Sequence, residues 1–186
     1  MTTRGIWIYI VFLASCDVFS TRTPAPPVGE AGTWLQPVAP DLVVDNLRAA
    51  VEELNATNYR RSIDLEFMFT PTASAHARDP QRWAIWGQAQ ENSYFTTVAE
   101  AAKENTGHFL RLEDVTTELG DTTYTLEAHY VLLIKHGSRQ VADSLQGRLI
   151  WTIARNSDGL WALSWWKDQS IGSADSWSDL KAEFGN

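Results

Sequence analysis

The chain is 186 residues long, 44% hydrophobic and 20% charged, with a formal net charge of −8 at pH 7. That is the composition of a globular domain long enough to bury a real core, which argues against a disordered chain. The acidic balance also argues against nucleic acid as a partner, and against an anionic membrane surface as a platform for the domain itself.

Residues 1–15 read as an export signal: Arg4 is the only charge, residues 5–12 are almost wholly apolar, and small residues precede Cys16. The apolar run is well short of the roughly 20 residues that span a bilayer, so a permanent transmembrane helix is not expected. Leu13-Ala14-Ser15-Cys16 resembles the lipobox of bacterial lipoproteins at all four positions. The resemblance implies cleavage before Cys16, acylation of its thiol (palmitate chemistry) and of the new amino terminus, and a lipid anchor in the cell envelope. Asp17 resembles an inner-membrane retention signal of some bacteria, and which membrane holds the anchor stays open. The alternative is a free cysteine behind an ordinary signal peptide. Cys16 is the sole cysteine, so once acylated it leaves no thiol for a disulfide, a metal site or a nucleophile.

Residues 16–39 read as a tether. Pro24, Pro26, Pro27 and Pro37, with Pro40 at its end, are five of the seven prolines, and proline favours extended, semi-stiff chain. Trp34 and Leu35 are the exception and are expected to dock. Residues 40–186 then form one domain. Asp41 is expected to cap a helix carrying Leu42, Val43, Asn46, Leu47, Ala50, Val51 and Leu54 at helical spacing. A short helical turn over residues 59–63 follows, then a strand in which Leu65, Phe67 and Phe69 alternate with Asp64, Glu66 and Met68. Asp79-Pro80 starts a helix over residues 81–103 with Trp83, Trp86, Ala89, Tyr94, Val98 and Ala101 on one side.

The remainder reads as an antiparallel meander. A two-residue turn at Gly137-Ser138 sets Ile134 opposite Val141, Tyr130 opposite Leu145, Leu126 opposite Leu149 and Tyr124 opposite Trp151. A three-residue loop closed by Gly159 sets Ile153 opposite Leu163 and Trp151 opposite Trp165, all on one face. The strand over residues 108–119 joins if it is bulged near Glu113-Asp114. Residues 176–184 form a short amphipathic helix with Trp177, Leu180 and Phe184 expected to dock on the core.

This order of helix, short helix, strand, long helix and meander resembles the nuclear-transport-factor-2-like cone over residues 40–169. Leu47, Asn58, Tyr59 and Phe67 look like the opening of its SnoaL-like branch, and the tryptophan-rich final strand looks like uncharacterised lipoproteins of that superfamily. The resemblance implies an α+β cone, N-terminal helices packed on a curved antiparallel sheet, with a pocket on the concave face and a homodimer through the opposite one.

Two sets of residues are candidates. Tyr59, Trp83, Trp86, Tyr124, Tyr130, Trp151 and Trp165 would line the concave face, either as a pocket for a small apolar ligand or as plain core. Glu127, His129, Arg148, Trp166 and Asp168 would occupy the other face, as a polar cluster, a dimer surface or an exposed ion-pair ladder. No catalytic residue is assigned, because no carboxylate is expected among the aromatics. His76, His108, His129 and His136 show no metal-ligand spacing, and neither a phosphate-binding glycine loop nor a nucleophile elbow is present. No cofactor is expected. The leading function is a non-catalytic binding or interaction module on a lipid anchor, with a homodimer as its candidate assembly. The alternative is a small isomerase or dehydratase acting on an apolar substrate.

Overall fold

The structure is a computed structural model and describes residues 32–185. The expected export signal, the motif ending at Cys16 and the expected tether up to residue 31 lie outside the described residues. The end of the tether is docked: Leu35 exchanges two hydrogen bonds with the Asn46 side chain, at 2.8 and 2.6 Å, and the Arg61 guanidinium lies 3.6 Å from the centre of the Trp34 ring.

The elements run α1 (Pro40–Glu52), α2 (Ala56–Arg61), β1 (Ile63–Thr70), α3 (Ala73–Arg78), α4 (Pro80–Ala84), α5 (Gln88–Ala102), β2 (Phe109–Leu119), β3 (Thr123–Leu133), β4 (Ser144–Arg155), β5 (Trp161–Ser170) and α6 (Trp177–Phe184). The strands form one sheet in the order β1-β5-β4-β3-β2, antiparallel except for β1, which runs parallel to β5. Helix α1 packs across β2, β4 and β5, while α5 packs on β1 and α6.

Local chemistry sets the helix boundaries. Pro40, not Asp41, opens α1; the preceding Ala39 offers no side-chain cap, and Asp41 sits in the first turn, where its charge complements the helix dipole. Asn55 accepts the Asn58 amide at 3.0 Å and starts α2. Asp79 accepts the Arg82 amide at 3.2 Å and starts α4, with Pro80 at the first helical position. The long helix expected over residues 81–103 is broken between Ala84 and Gln88. There Trp86 accepts the Phe69 amide at 3.3 Å and Gly87 bridges to Met68, so the break supplies backbone partners to the edge strand β1.

The sheet departs from the expected registers in two places. Between β3 and β4 the connection is a ten-residue loop rather than a two-residue turn, braced from within: the His136 amide bonds Asp143 at 3.1 Å and the Ser138 amide bonds the His136 ring at 3.1 Å. Tyr130 therefore pairs with Gly147 and Leu126 with Trp151, a slip of two residues that keeps every side chain on its expected face. Between β4 and β5 the slip is one residue. Ile153 pairs with Leu163 as expected, but the next partners are Thr152 with Trp165 and Trp151 with Trp166. Ser164 is the extra residue, its hydroxyl bonded to the Thr152 carbonyl at 2.9 Å. From there the parity inverts: Trp165 faces outward, and Trp166 and Asp168 face the interior. The bulge expected near Glu113-Asp114 is present, with Asp114 at φ 51°. A further irregularity in β1 turns Leu65 out to 85% exposure, while Phe67 and Phe69 stay buried.

Candidate functional site

The bulge at Ser164 places a carboxylate inside the cone. Asp168 is 1% exposed and accepts three hydrogen bonds: from the Tyr130 hydroxyl at 2.9 Å, the Ser178 amide at 2.7 Å and the Ser178 hydroxyl at 2.6 Å. Tyr130 reaches it from β3 across β4 because residue 147 is glycine. A Cβ there would fall into the Tyr130 ring and lie 2.7 Å from the Gln169 carbonyl. The Tyr130 hydroxyl also accepts the Trp177 amide at 2.7 Å. The first two amides of α6, which lack partners within the helix, are thus satisfied by the sheet, and a negative charge stands at the helix's positive end.

A second centre lies beside it. Glu91 of α5 and Lys181 of α6 form an ion pair in which both side chains are fully buried. Glu91 Oε1 also accepts from the Tyr59 hydroxyl at 2.7 Å, and Oε2 from the Trp86 indole at 2.7 Å. Around the ammonium stand Trp166, Phe69, Tyr94 and Trp86, with ring centres 3.9, 4.2, 5.1 and 5.9 Å away. Tyr94 accepts the Trp177 indole at 2.8 Å. Helix α6 is fastened from outside as well: Arg78 pairs with Asp179, and Arg82 donates to the carbonyls of Ala182 at 2.7 Å and Gly185 at 2.5 Å. The helix seals the interior.

Burial shifts these groups. It pushes Lys181 down to about 8, against the opposing pull of Glu91 and Asp168. It raises Asp168, although the bonds from Ser178 and Tyr130 and the charge of Lys181 act the other way. Tyr59, Tyr94 and Tyr130 are raised by burial and by the neighbouring carboxylates. The lysine shift has a signed consequence. Between its folded value of about 8 and its ordinary 10.5, the unfolded chain holds a proton the folded chain has released, so this group makes stability rise with pH across that window. The urea midpoint of the protein should therefore rise relative to that of Lys181→Met between about pH 7.5 and about pH 9, below most tyrosine ionisation. A difference that stays constant over that range would rule out the shifted lysine.

Of the aromatic candidates, Tyr59, Trp83, Trp86, Tyr130 and Trp151 are buried in the interior, Tyr124 is half-buried, and Trp165 lies on the outer face. Tyr59 and Trp86 meet at Glu91, whereas Trp83 donates to the Ala75 carbonyl at 3.0 Å. Of the second set, Glu127, His129 and Arg148 share the outer face. Arg148 pairs with Glu127 diagonally, and His129 lies 3.2 Å from Asp114. Trp166 and Asp168 belong to the interior, contrary to expectation, because of the Ser164 bulge. Sequence reasoning missed Glu91, Ser178 and Lys181. A faint signal was there: Glu91 lies three and seven residues before Tyr94 and Val98, and Lys181 four after Trp177, each charge in the middle of an apolar helix stripe.

Surface clefts include one of about 420 Å³ at Asp45, Arg48 and Phe109, away from these centres, and one of about 540 Å³ at Thr70, His76 and Lys167, whose lining also includes Asp168. Among the described residues, no group of three or more His, Cys, Asp or Glu could hold a metal ion, and no helix is long and apolar enough to cross a membrane.

No protein-family model and no curated protein matches the sequence. Solved structures match the shape. A nuclear-transport-factor-2-like protein of unknown function in nutrient uptake from Rhodospirillum rubrum is 12% identical, with a TM-score of 0.54 over 72% of this chain and 99% of that one. A nuclear-transport-factor-2 superfamily protein from Salmonella enterica is 11% identical, with a TM-score of 0.52 over 70% and 87%. A similar protein with a cystatin-like fold from Novosphingobium aromaticivorans is 12% identical, with a TM-score of 0.51 over 71% and 79%. At such identities the likeness speaks for the fold alone. That fold is the α+β nuclear-transport-factor-2-like cone, with helices packed on a curved, mostly antiparallel sheet.

Proposed function

We propose that this chain is a lipid-anchored cell-envelope protein, exported and acylated at Cys16, whose domain works by binding and not by catalysis, as a homodimer through its outer sheet face. One observation carries the reading: the ionisable groups inside the cone are paired with one another and sealed by α6, with Glu91 and Lys181 at 0% side-chain exposure. The outer face, by contrast, sets half-buried Trp165, Ile150 and Val131 among Glu127, His129 and Arg148. Apolar area interspersed with charges of both signs suits a self-complementary two-fold contact.

Sedimentation of the chain beginning at Asp17 should show a dimer that dissociates in Ile150→Glu. A monomer at every concentration would overturn the dimer. Mass spectrometry of membrane-extracted protein should show an acylated Cys16, and a soluble species with a free thiol would overturn the anchor.

The second reading, a small isomerase or dehydratase, is favoured by a specific feature. Asp168, with its raised pKa, stands beside Tyr130 inside the cone, an acid–base pair among aromatics. That chemistry needs α6 displaced. Proton exchange into a carbonyl substrate by the intact chain, lost in Asp168→Asn, supports this reading over the first.

A further inference from the structure

Lys181 has the surroundings of a bound ligand. Four aromatic rings from β1, the segment before α5, α5 and β5 enclose its ammonium, and Glu91 closes the remaining side. Ring faces supply negative quadrupole and a carboxylate supplies the counter-charge, the combination that recognises an organic cation. Two of the walls, Tyr94 and Trp166, are braced by Trp177 of α6, a contact that does not involve the Lys181 side chain. Every wall belongs to the body of the cone, and only Lys181 comes from α6. Glu91 is aimed without help from the lysine, because Tyr59 holds one oxygen and Trp86 the other. A buried ion pair kept for stability alone needs no such walls, since well-packed apolar residues serve as well.

We propose that the interior of the cone is a recognition site for a primary alkylammonium group, kept closed in this state by Lys181 acting as a tethered ligand of the chain's own. The class is narrow. The direct contact with Glu91 requires an N–H, which excludes quaternary ammonium, and the present occupant carries its ammonium on an unbranched four-carbon stem. A free amine and a lysine side chain of a partner polypeptide share that chemistry. The site is separate from the outer sheet face, and it stands or falls independently of the dimer.

The test uses the full chain carrying Lys181→Ala, probed with n-butylamine at neutral pH, where the amine is protonated. Butylammonium should raise the thermal midpoint of the variant and bind it about tenfold or more tightly than the wild type, whose tethered lysine competes at high effective concentration. Isosteric n-butanol and tetramethylammonium should do neither, and adding Glu91→Gln should abolish the response. If the variant does not fold alone, recovery of a cooperative transition in butylammonium but not in butanol supports the proposal equally. A response to Nα-acetyl-lysine methylamide extends the site to peptide lysines, whereas a response to butylamine alone assigns it to free amines. Equal effects of amine and alcohol would show mere cavity filling, and equal binding to wild type and variant would place the amine elsewhere. Either result, or no effect of the amine on stability or refolding, overturns the proposal.

Discussion

Glu91→Gln should destabilise the folded chain by about 3–5 kcal/mol, the cost of leaving one member of a fully buried ion pair without its counter-charge. The substitution keeps the shape of the side chain and removes only its charge. An amide retains one acceptor, whereas Glu91 receives donors on both oxygens: Tyr59 and Lys181 on Oε1, and Trp86 on Oε2. The new NH2 group must face one of these donors, and the ammonium loses its partner in a site closed to water. Replacing the pair together, as Glu91→Leu with Lys181→Met, should restore much of the loss, because burial of two charges is itself costly. Urea denaturation of the two variants at neutral pH decides it. A single-variant loss under about 1 kcal/mol is what a solvated pair would give, and would refute burial.

Trp177→Ala should cost a similar amount, about 3–5 kcal/mol, and should undock α6. Trp177 is 1% exposed and stands edge-on to Trp166, with ring centres 4.4 Å apart and planes at 88°. It also meets Tyr130 at 5.5 Å, and its indole donates to Tyr94 at 2.8 Å. Trp177→Phe keeps most of the packing and forfeits the hydrogen bond, for which about 1 kcal/mol is expected. Near-ultraviolet dichroism and dye binding separate loss of the helix from global unfolding. An alanine variant with native tryptophan signals and unchanged stability would show that the helix is not a structural seal.

The order of α1, α2, β1 and the meander was legible because α1 and the strands carry a local periodic signal, whereas α3 was not read and α4 and α5 read as one helix. The face of β4 survived an incorrect turn, since a slip of two residues preserves parity. The face of β5 did not, because Trp165 and Trp166 are equally apolar and a single inserted Ser164 decides which turns inward. The same bulge hid Asp168, which reads as the solvent end of an ion-pair ladder. Glu91 and Lys181 were hidden for another reason. A charge in a sequence reads as surface, and the partner that permits its burial lies 90 residues away.

Helix α6 also fixes when the domain can finish folding. The groups at Glu91, Tyr130 and Asp168 emerge from the ribosome before residues 177–181, which satisfy them. Until α6 docks, Asp168 and Glu91 lack the donors that Ser178 and Lys181 bring, and the Trp166 ring lacks its cover of Trp177. Closure joins groups 83 and 90 residues apart, Trp177 to Tyr94 and Lys181 to Glu91, so the docking of α6 carries one of the larger loop-closure costs in the fold.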